Sequence, residues 1–439
     1  MDASPPSPRS HRTPRRTLLA ALTALALAAA PWSATAAPER PPAPGAAGPQ
    51  VILDWNRTAV ATINTDARLY SAEQFLWHGF VSAAVYNAVV GIEGRYTPYK
   101  WDVRRPHGAS AEAAAAAAAH EVLRTYFPSS RKRLDAAYAE SLAKIPDGRA
   151  EERGVAFGRR AAEHVVRLRA DDGRGARVTY AKAPAPGVWR PTPPTEAPFH
   201  APWLAKTRPL LLDSAERVLP AAPPAPASRR YARDFAEIKA MGGRSGSLRT
   251  AWQTETARFY ADVLPVQLQD AYRGHVERRG LDLVDAARLF AAANTATADA
   301  SIAAWNAKYT HGQWRPVTAI RLAGTDGNPA TEADPEWTPL LRTPPYPDYV
   351  SGHCTVDGAA VTVLDRLSGG DLDLRISSAV TGTTRTYTRA ADFRRDVINA
   401  RVWGGVHFRT SDVVGDRLGR DIGAFTLDHY FTPVDQEAD

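Results

Sequence analysis

Cysteine is almost missing from this 439-residue sequence. With Cys354 alone, neither an intramolecular disulfide framework nor a cysteine-ligated zinc or iron–sulfur site can be built within one chain, so packing must supply the stability. Strongly basic tails are missing too. The formal charge is +7, but the first 36 residues hold four arginines against one aspartate, so the remainder carries only +4, spread along its length. A nucleic-acid or membrane-surface partner therefore has little support. There is no internal repeat of fixed period, no set of Asp and Glu at metal-ligand spacing, and no run beyond the N-terminus that reads as a membrane span. What is present is ordinary globular composition, 44% hydrophobic and 23% charged, enough for a sizeable core.

The N-terminus has the layout of a secretory signal over residues 1–36. Arg9, Arg12, Arg15 and Arg16 precede the apolar run Thr17 to Ala30, and Ala34-Thr35-Ala36 follows at cleavage distance. Thr13-Pro14-Arg15-Arg16-Thr17-Leu18-Leu19 resembles a twin-arginine signal, which exports a protein already folded. The run is short for a span and no stop-transfer charges follow it, which counts against an uncleaved anchor. A Pro/Ala linker occupies 37–50. The expectation is an exported, extracytoplasmic protein, not integral to a membrane once the signal is removed.

Residues 51–439 read as a single, mostly helical domain. Phe75, Phe80, Val81, Ala84, Val85 and Val89 share one stripe, and helical period returns at Ala111 to Tyr126, Leu134 to Ile145, Arg230 to Met241, Ser247 to Val263 and Leu281 to about Ala307. Ser129 and Ser130 stand where a cap is wanted. Between 181 and 226 lie 12 of the 35 prolines, a connection without sustained period whose Trp189, Trp203 and Leu210 to Leu212 should pack down. Leu374 to Val380 and Thr383 to Thr388 favour a small β-hairpin. The expected class is all-α with at most that hairpin.

Chemistry concentrates at 305–412. In Lys308-Tyr309-Thr310-His311-Gly312-Gln313-Trp314-Arg315-Pro316 two cations flank a helix-to-helix turn, with a new helix expected at Pro316. In Tyr346-Pro347-Asp348-Tyr349-Val350-Ser351-Gly352-His353, Ser351 is positioned as an N-cap, which puts the Ser351, Gly352 and His353 amides at a helix N-terminus suited to an oxyanion. In Ala400 to Asp412, Gly404-Gly405 breaks the helical pattern between Arg401 and His407 and frees His407 to turn toward a pocket. One lysine, two arginines, a helix N-terminus and two histidines form an inventory for a tetrahedral oxyanion plus acid–base or covalent chemistry.

These three fragments resemble the motifs of the vanadium-dependent haloperoxidases and of the type 2 phosphatidic acid phosphatases that share their site. Val350 stands where the consensus has proline and Ala400 where it has serine; neither is a direct ligand. Trp305, three residues before Lys308, and Tyr346, seven before His353, resemble the exported bacterial haloperoxidase branch. The resemblance implies a helical-bundle fold of that type and a vanadate cofactor, with phosphate able to occupy the same site. It places Lys308, Arg315, Arg401, the Ser351 hydroxyl and the Gly352 amide around the oxyanion, His407 bonded to vanadium, and His353 as the acid–base residue. Hydrogen peroxide would then oxidise a halide through a peroxovanadate polarised by Lys308, for delivery to a small organic acceptor. The same residues would serve a secreted acid phosphatase, with His407 as nucleophile toward a phosphate ester and His353 as general acid, or a non-catalytic oxyanion-binding protein.

His78, His120, His164 and His275 lie in helical pattern and read as packed or solvated. His311 either lines the pocket or faces solvent. Asp412 either orients His407 through its second ring nitrogen or caps a helix, although it lies five residues after His407 where many relatives have four. Cys354 reads as a buried inert thiol. Asp299, on the Ala-rich helix, has no evident partner.

Overall fold

The computed structural model describes Met1 and residues 47–434; the signal and most of the linker expected at the N-terminus lie outside the described residues. Thirteen α-helices and one hairpin are present among them, in the order α1 Gln50–Val60, α2 Ser71–Glu93, α3 Ala111–Tyr126, α4 Arg131–Leu142, α5 Arg149–Leu168, α6 Arg229–Gly242, α7 Ala251–Phe259, α8 Leu264–Arg279, α9 Leu283–His311, α10 Pro316–Arg321, α11 Gly352–Leu367, β1 Leu374–Ser378, β2 Thr383–Tyr387, α12 Ala390–Trp403 and α13 Arg409–His429. The expected all-α class with one small hairpin is what forms. The antiparallel register of the hairpin runs from Leu374 opposite Tyr387 to Ser378 opposite Thr383.

Helix α9 is the axis. Mostly apolar or small residues run round it, and it is buried without a break from Leu283 to Lys308, as befits a helix wrapped on all sides. Asp282 caps it, its carboxylate accepting the Val284 and Asp285 amides at 3.0 Å each. Gly312 ends it in the left-handed region at φ 64°, its N–H bonded to the Lys308 carbonyl at 2.9 Å. Around α9 pack α2, α11 and α13, while α3 and α5 pair beyond α2. By length and composition α2 alone among the described residues is apolar enough to cross a membrane, contrary to the absence expected from sequence; it is a core helix, buried along nearly all its length.

Helices α11 and α13 approach almost backbone to backbone. Gly415, Gly419 and Gly423 form one stripe on α13 at four-residue spacing. A Cβ on Gly419 would lie 2.0 Å from the Thr355 carbonyl oxygen, and one on Gly415 2.8 Å from the Ser351 carbonyl oxygen. This contact fixes the N-terminus of α11 against the segment that carries His407.

The Pro-rich connection packs down as expected, with Trp189, Leu210, Leu211 and Leu212 buried. Asp299 supplies the reason: its carboxylate accepts the amides of Leu210, Leu211 and Leu212 at 2.6, 2.8 and 2.9 Å. Two smaller expectations change. Ser130 holds the N-cap position of α4, but its hydroxyl donates to Asp66 instead of capping, and α7 is shorter than the pattern suggested because Thr250 and Gln253 close a capping box at its start.

Candidate oxyanion site

Three chain breaks bring the site together. The last two turns of α9 carry Trp305 and Lys308; Arg315 is the N-cap residue of α10, which begins at Pro316. Ser351 is the N-cap residue of α11, and its side chain makes no capping bond, so the hydroxyl is left for other partners. Arg401 lies in the last turn of α12, and His407 sits on the short link to α13, where Gly405 takes φ 75°. A Cβ at Gly405 would lie 2.4 Å from the Gly242 carbonyl oxygen, so only glycine lets the chain turn that tightly against α6.

Lys308, Arg315, Ser351, Arg401 and His407 are all at most 3% exposed. Gly352 and His353 are partly exposed. Lys308 Nζ donates to the carbonyls of Pro347 and Asp348 at 2.9 Å each. Arg315 donates through Nε to the Tyr346 carbonyl and through Nη1 to the Val406 carbonyl, both at 2.7 Å, and Nη1 lies 3.2 Å from His407 Nε2. Arg401 Nη1 donates to the Tyr260 carbonyl at 3.0 Å. Arg315 Nη2 and Arg401 Nε are buried without a hydrogen-bond partner. Buried Arg315 and Arg401, each with an unspent N–H group, and buried Lys308 beside a helix N-terminus form a cradle that a tetrahedral oxyanion completes, because buried cations need a counter-charge. At Gly352 a Cβ would meet the Trp305 ring at 3.3 Å, so the glycine keeps that wall of the cradle bare.

Burial and mutual repulsion set the protonation states. Burial, reinforced by the Arg315 charge, holds the Lys308 amine well below its ordinary value. Burial and the neighbouring cations likewise hold His407 and His353 well below theirs, so both rings are neutral before an anion arrives. Asp348 is pushed up to about 7 by burial, against the opposing pull of Arg315 and Lys308.

Trp305 and Tyr346 stand together, ring centroids 4.8 Å apart, with Lys308 Nζ 5.8 Å and 5.0 Å from the two rings. Trp305 also donates to the His200 carbonyl at 3.1 Å, which ties the Pro-rich connection to the rim. The structure thus gathers Trp305, Lys308, Arg315, Tyr346, Ser351, Gly352, His353, Arg401 and His407. Two residues raised from sequence do not join them as anticipated. His311 turns outward, its Nε2 at 3.0 Å from the Pro220 carbonyl and its ring against Tyr349. Asp412 is neither the partner of His407 nor a cap: buried in the first turn of α13, it receives the Cys354 thiol at 3.4 Å. Cys354 is buried, as expected, and burial pushes its thiol well up.

Sequence reasoning missed Asp348, whose Oδ1 lies 2.9 Å from His407 Nδ1 and 3.7 Å from Arg315. It also missed Asp357, a buried carboxylate without a hydrogen-bond partner, held well above its ordinary value by burial. The one available signal for Asp357 was its position four residues after His353, on the same face of α11.

The fold is that of the vanadium-dependent haloperoxidases, and residues 288–436 match the family model described as the VCPO second helical-bundle domain. Among solved structures the chain is similar to a bacterial vanadium-dependent iodoperoxidase, with a TM-score of 0.76 and 23% identity over 90% of this chain and 99% of that one. It is also similar to a bacterial vanadium-dependent chloroperoxidase in its holo form, with a TM-score of 0.64 and 20% identity over 81% and 91% of the two chains. In sequence it is 28% identical over 244 residues to the vanadium chloroperoxidase of Curvularia inaequalis, covering 44% of this chain. That match spans 39% of the relative's length.

Proposed function

We propose that this chain is a vanadium-dependent haloperoxidase that uses hydrogen peroxide to oxidise a halide for transfer to a small organic acceptor. The carrying observation is the cradle: buried Lys308, Arg315 and Arg401, two of them with unspent N–H groups, facing neutral His407 beneath Trp305 and Tyr346. The donor set fits vanadate, since orphaned guanidinium N–H groups and a bare helix N-terminus answer oxyanion oxygens, while a neutral imidazole nitrogen answers the metal. Bound vanadate would supply the Lewis-acid centre at which peroxide is activated toward halide.

The chain's own residues do the rest. Arg315 and Arg401 fix the oxyanion through Nη2 and Nε. Lys308, held by two carbonyls, regains with the anion the charge that burial alone disfavours and presents its remaining N–H to an oxygen. His407 keeps its lone pair because burial and Arg315 resist its protonation. His353, partly exposed and unprotonated, would be the group able to take or return a proton beside the bound oxyanion. The signal-like residues 1–36 support export as part of the same reading.

The test is the purified protein, stripped of phosphate and assayed with hydrogen peroxide, iodide, bromide or chloride and a phenolic acceptor, with and without orthovanadate. Halogenation that needs vanadate and is blocked by phosphate is the expected result. Phosphate-ester hydrolysis inhibited by vanadate, without halogenation, would overturn the reading in favour of an acid phosphatase, and silence in both assays would leave an oxyanion-binding protein. His407→Ala should abolish vanadate retention, whereas His353→Ala should retain it and lose turnover.

A further inference from the structure

We propose that Tyr70, stacked on His200, is a modification site, the ring at which this chain takes up an electrophilic halogen from hypohalous acid. The proposal rests on the peroxidase reading above, which supplies that acid at the cradle. Of the 15 tyrosines Tyr70 alone is exposed, at 52%. Its phenol is an electron-rich target, because the hydroxyl oxygen feeds density to the ring carbons beside it. Trp252 is the other exposed aromatic ring among the described residues, but the Arg385 guanidinium lies 5.7 Å from its centroid, a cation that opposes attack by an electrophile. The thiol of Cys354, which such an oxidant would otherwise consume, is buried.

Position singles out the same ring. Tyr70 precedes α2, its side chain makes no capping bond there, and its ring meets that of His200 at a centroid distance of 3.5 Å and a tilt of 39°. His200 is in turn fastened to both members of the aromatic pair beside Lys308: its carbonyl accepts the Trp305 indole N–H at 3.1 Å, and its own N–H donates to the carbonyl of Pro345, the neighbour of Tyr346, at 3.0 Å. The Ser301 hydroxyl donates to the Ala72 carbonyl at 2.9 Å, which fixes the start of α2 about one helical turn along α9 from Trp305. Burial, reinforced by the Arg342 charge, holds the His200 imidazole below its ordinary value, so the ring beside Tyr70 is neutral. In the reaction a ring carbon next to the Tyr70 hydroxyl attacks the halogen of hypohalous acid. The carbon–halogen bond forms as the halogen–oxygen bond breaks, the halogen gains the two electrons that the ring gives up, and hydroxide leaves. The proton displaced from the ring carbon joins the hydroxide as water, with neutral His200 beside the ring to receive it on the way.

The experiment maps bromine by peptide mass spectrometry on the purified protein, in two arms. In the first, a sub-stoichiometric amount of hypobromous acid is added without vanadate. Bromine is expected on Tyr70 ahead of every other tyrosine and ahead of oxidation at Trp252, and that label should be lost in Tyr70→Phe, a change at an exposed position that keeps the ring. Bromine spread over other tyrosines, or Trp252 oxidised first, would overturn the proposal. In the second arm the protein turns over orthovanadate, hydrogen peroxide and bromide with free methionine in solution to consume hypobromous acid that escapes. Tyr70 should still be labelled, at a methionine concentration that suppresses labelling by the added reagent. Bromination of a phenolic acceptor with Tyr70 left unlabelled would also sink the idea. Absence of turnover, with the reagent still marking Tyr70 first, would support the site while counting against the proposed function.

Discussion

Replacing Gly419 by alanine adds a single methyl group where α13 crosses α11, and its effect can be worked through from the geometry. The new Cβ would sit 2.0 Å from the Thr355 carbonyl oxygen and 2.9 Å from the Ala359 nitrogen, both backbone atoms that cannot rotate away. A carbon reaches a carbonyl oxygen no closer than about 3.3 Å, so the helices must part by roughly 1.3 Å. Overpacking of this kind costs about 1–3 kcal/mol, offset by about 1 kcal/mol because alanine is the better helix former. With an unfolding entropy of about 2.1 cal/mol/K per residue over roughly 390 residues, a net loss of about 0–2 kcal/mol lowers Tm by no more than about 2.5 °C. Function should suffer far more. The displaced N-terminus of α11 carries Ser351, Gly352 and His353, and a misplacement of about 1 Å can weaken a preorganised site about 100-fold. Isothermal titration with inorganic phosphate measures that loss, with Gly324→Ala as the control because nothing lies within 4 Å of a Cβ there. A Gly419→Ala protein that binds phosphate within about two-fold of the wild type would show that the close crossing does not set the cradle.

Three further outcomes are expected. His311→Ala should leave phosphate affinity and turnover within about two-fold of the wild type, since its ring bonds the Pro220 carbonyl away from the cradle; a loss beyond ten-fold in titration would contradict that placement. Asp299→Ala leaves three buried amides without their acceptor and should lower stability by about 3–5 kcal/mol in urea unfolding; a change below about 1 kcal/mol would mean that the amides find other partners. Asp357 is raised in the folded chain by burial, so the folded state keeps a proton that the unfolded state has released. Its contribution is therefore fully present below the unfolded carboxylate value near about 4 and is lost at about 1.4 kcal/mol per pH unit as pH rises toward the folded value. Asp357→Asn should remove that slope, read as a wild-type-minus-variant difference in unfolding free energy between pH 4 and 8, and a flat difference would refute the assignment.

What the sequence disclosed and what it hid follow from the range over which each interaction acts. Lys308, Arg315, Ser351, Gly352, Arg401 and His407 were legible because each sits at a helix end, and helix ends are written locally by Gly312, Pro316 and Gly404-Gly405. Trp305 is one turn from Lys308, so its presence beside the lysine follows from helical geometry. The pairing of Asp348 with His407 joins residues far apart in the chain, and no local pattern marks an aspartate as the one that faces a given imidazole. The partners of His311 and Asp412 were hidden for the same reason. Both lie in the right motifs, but His311 is claimed by a carbonyl of the Pro-rich connection and Asp412 by the Cys354 thiol. Asp299 likewise had no evident partner until the chain folded three consecutive amides onto it.

The anchoring of the Pro-rich connection couples it mechanically to the cradle. The connection is riveted at two places to the helix that bears Lys308 or to its immediate continuation: the Trp189 amide bonds the Gly312 carbonyl at 2.7 Å, and the amides of Leu210 to Leu212 converge on Asp299. Between those rivets the His200 carbonyl receives the Trp305 indole N–H. The stretch between them is held to the same helix as well, since Leu204 is fully buried and the Asn306 side chain donates to the Ala205 carbonyl at 3.3 Å, so a change of length between 190 and 209 would pull on the helix whose end spaces Lys308 and Arg315.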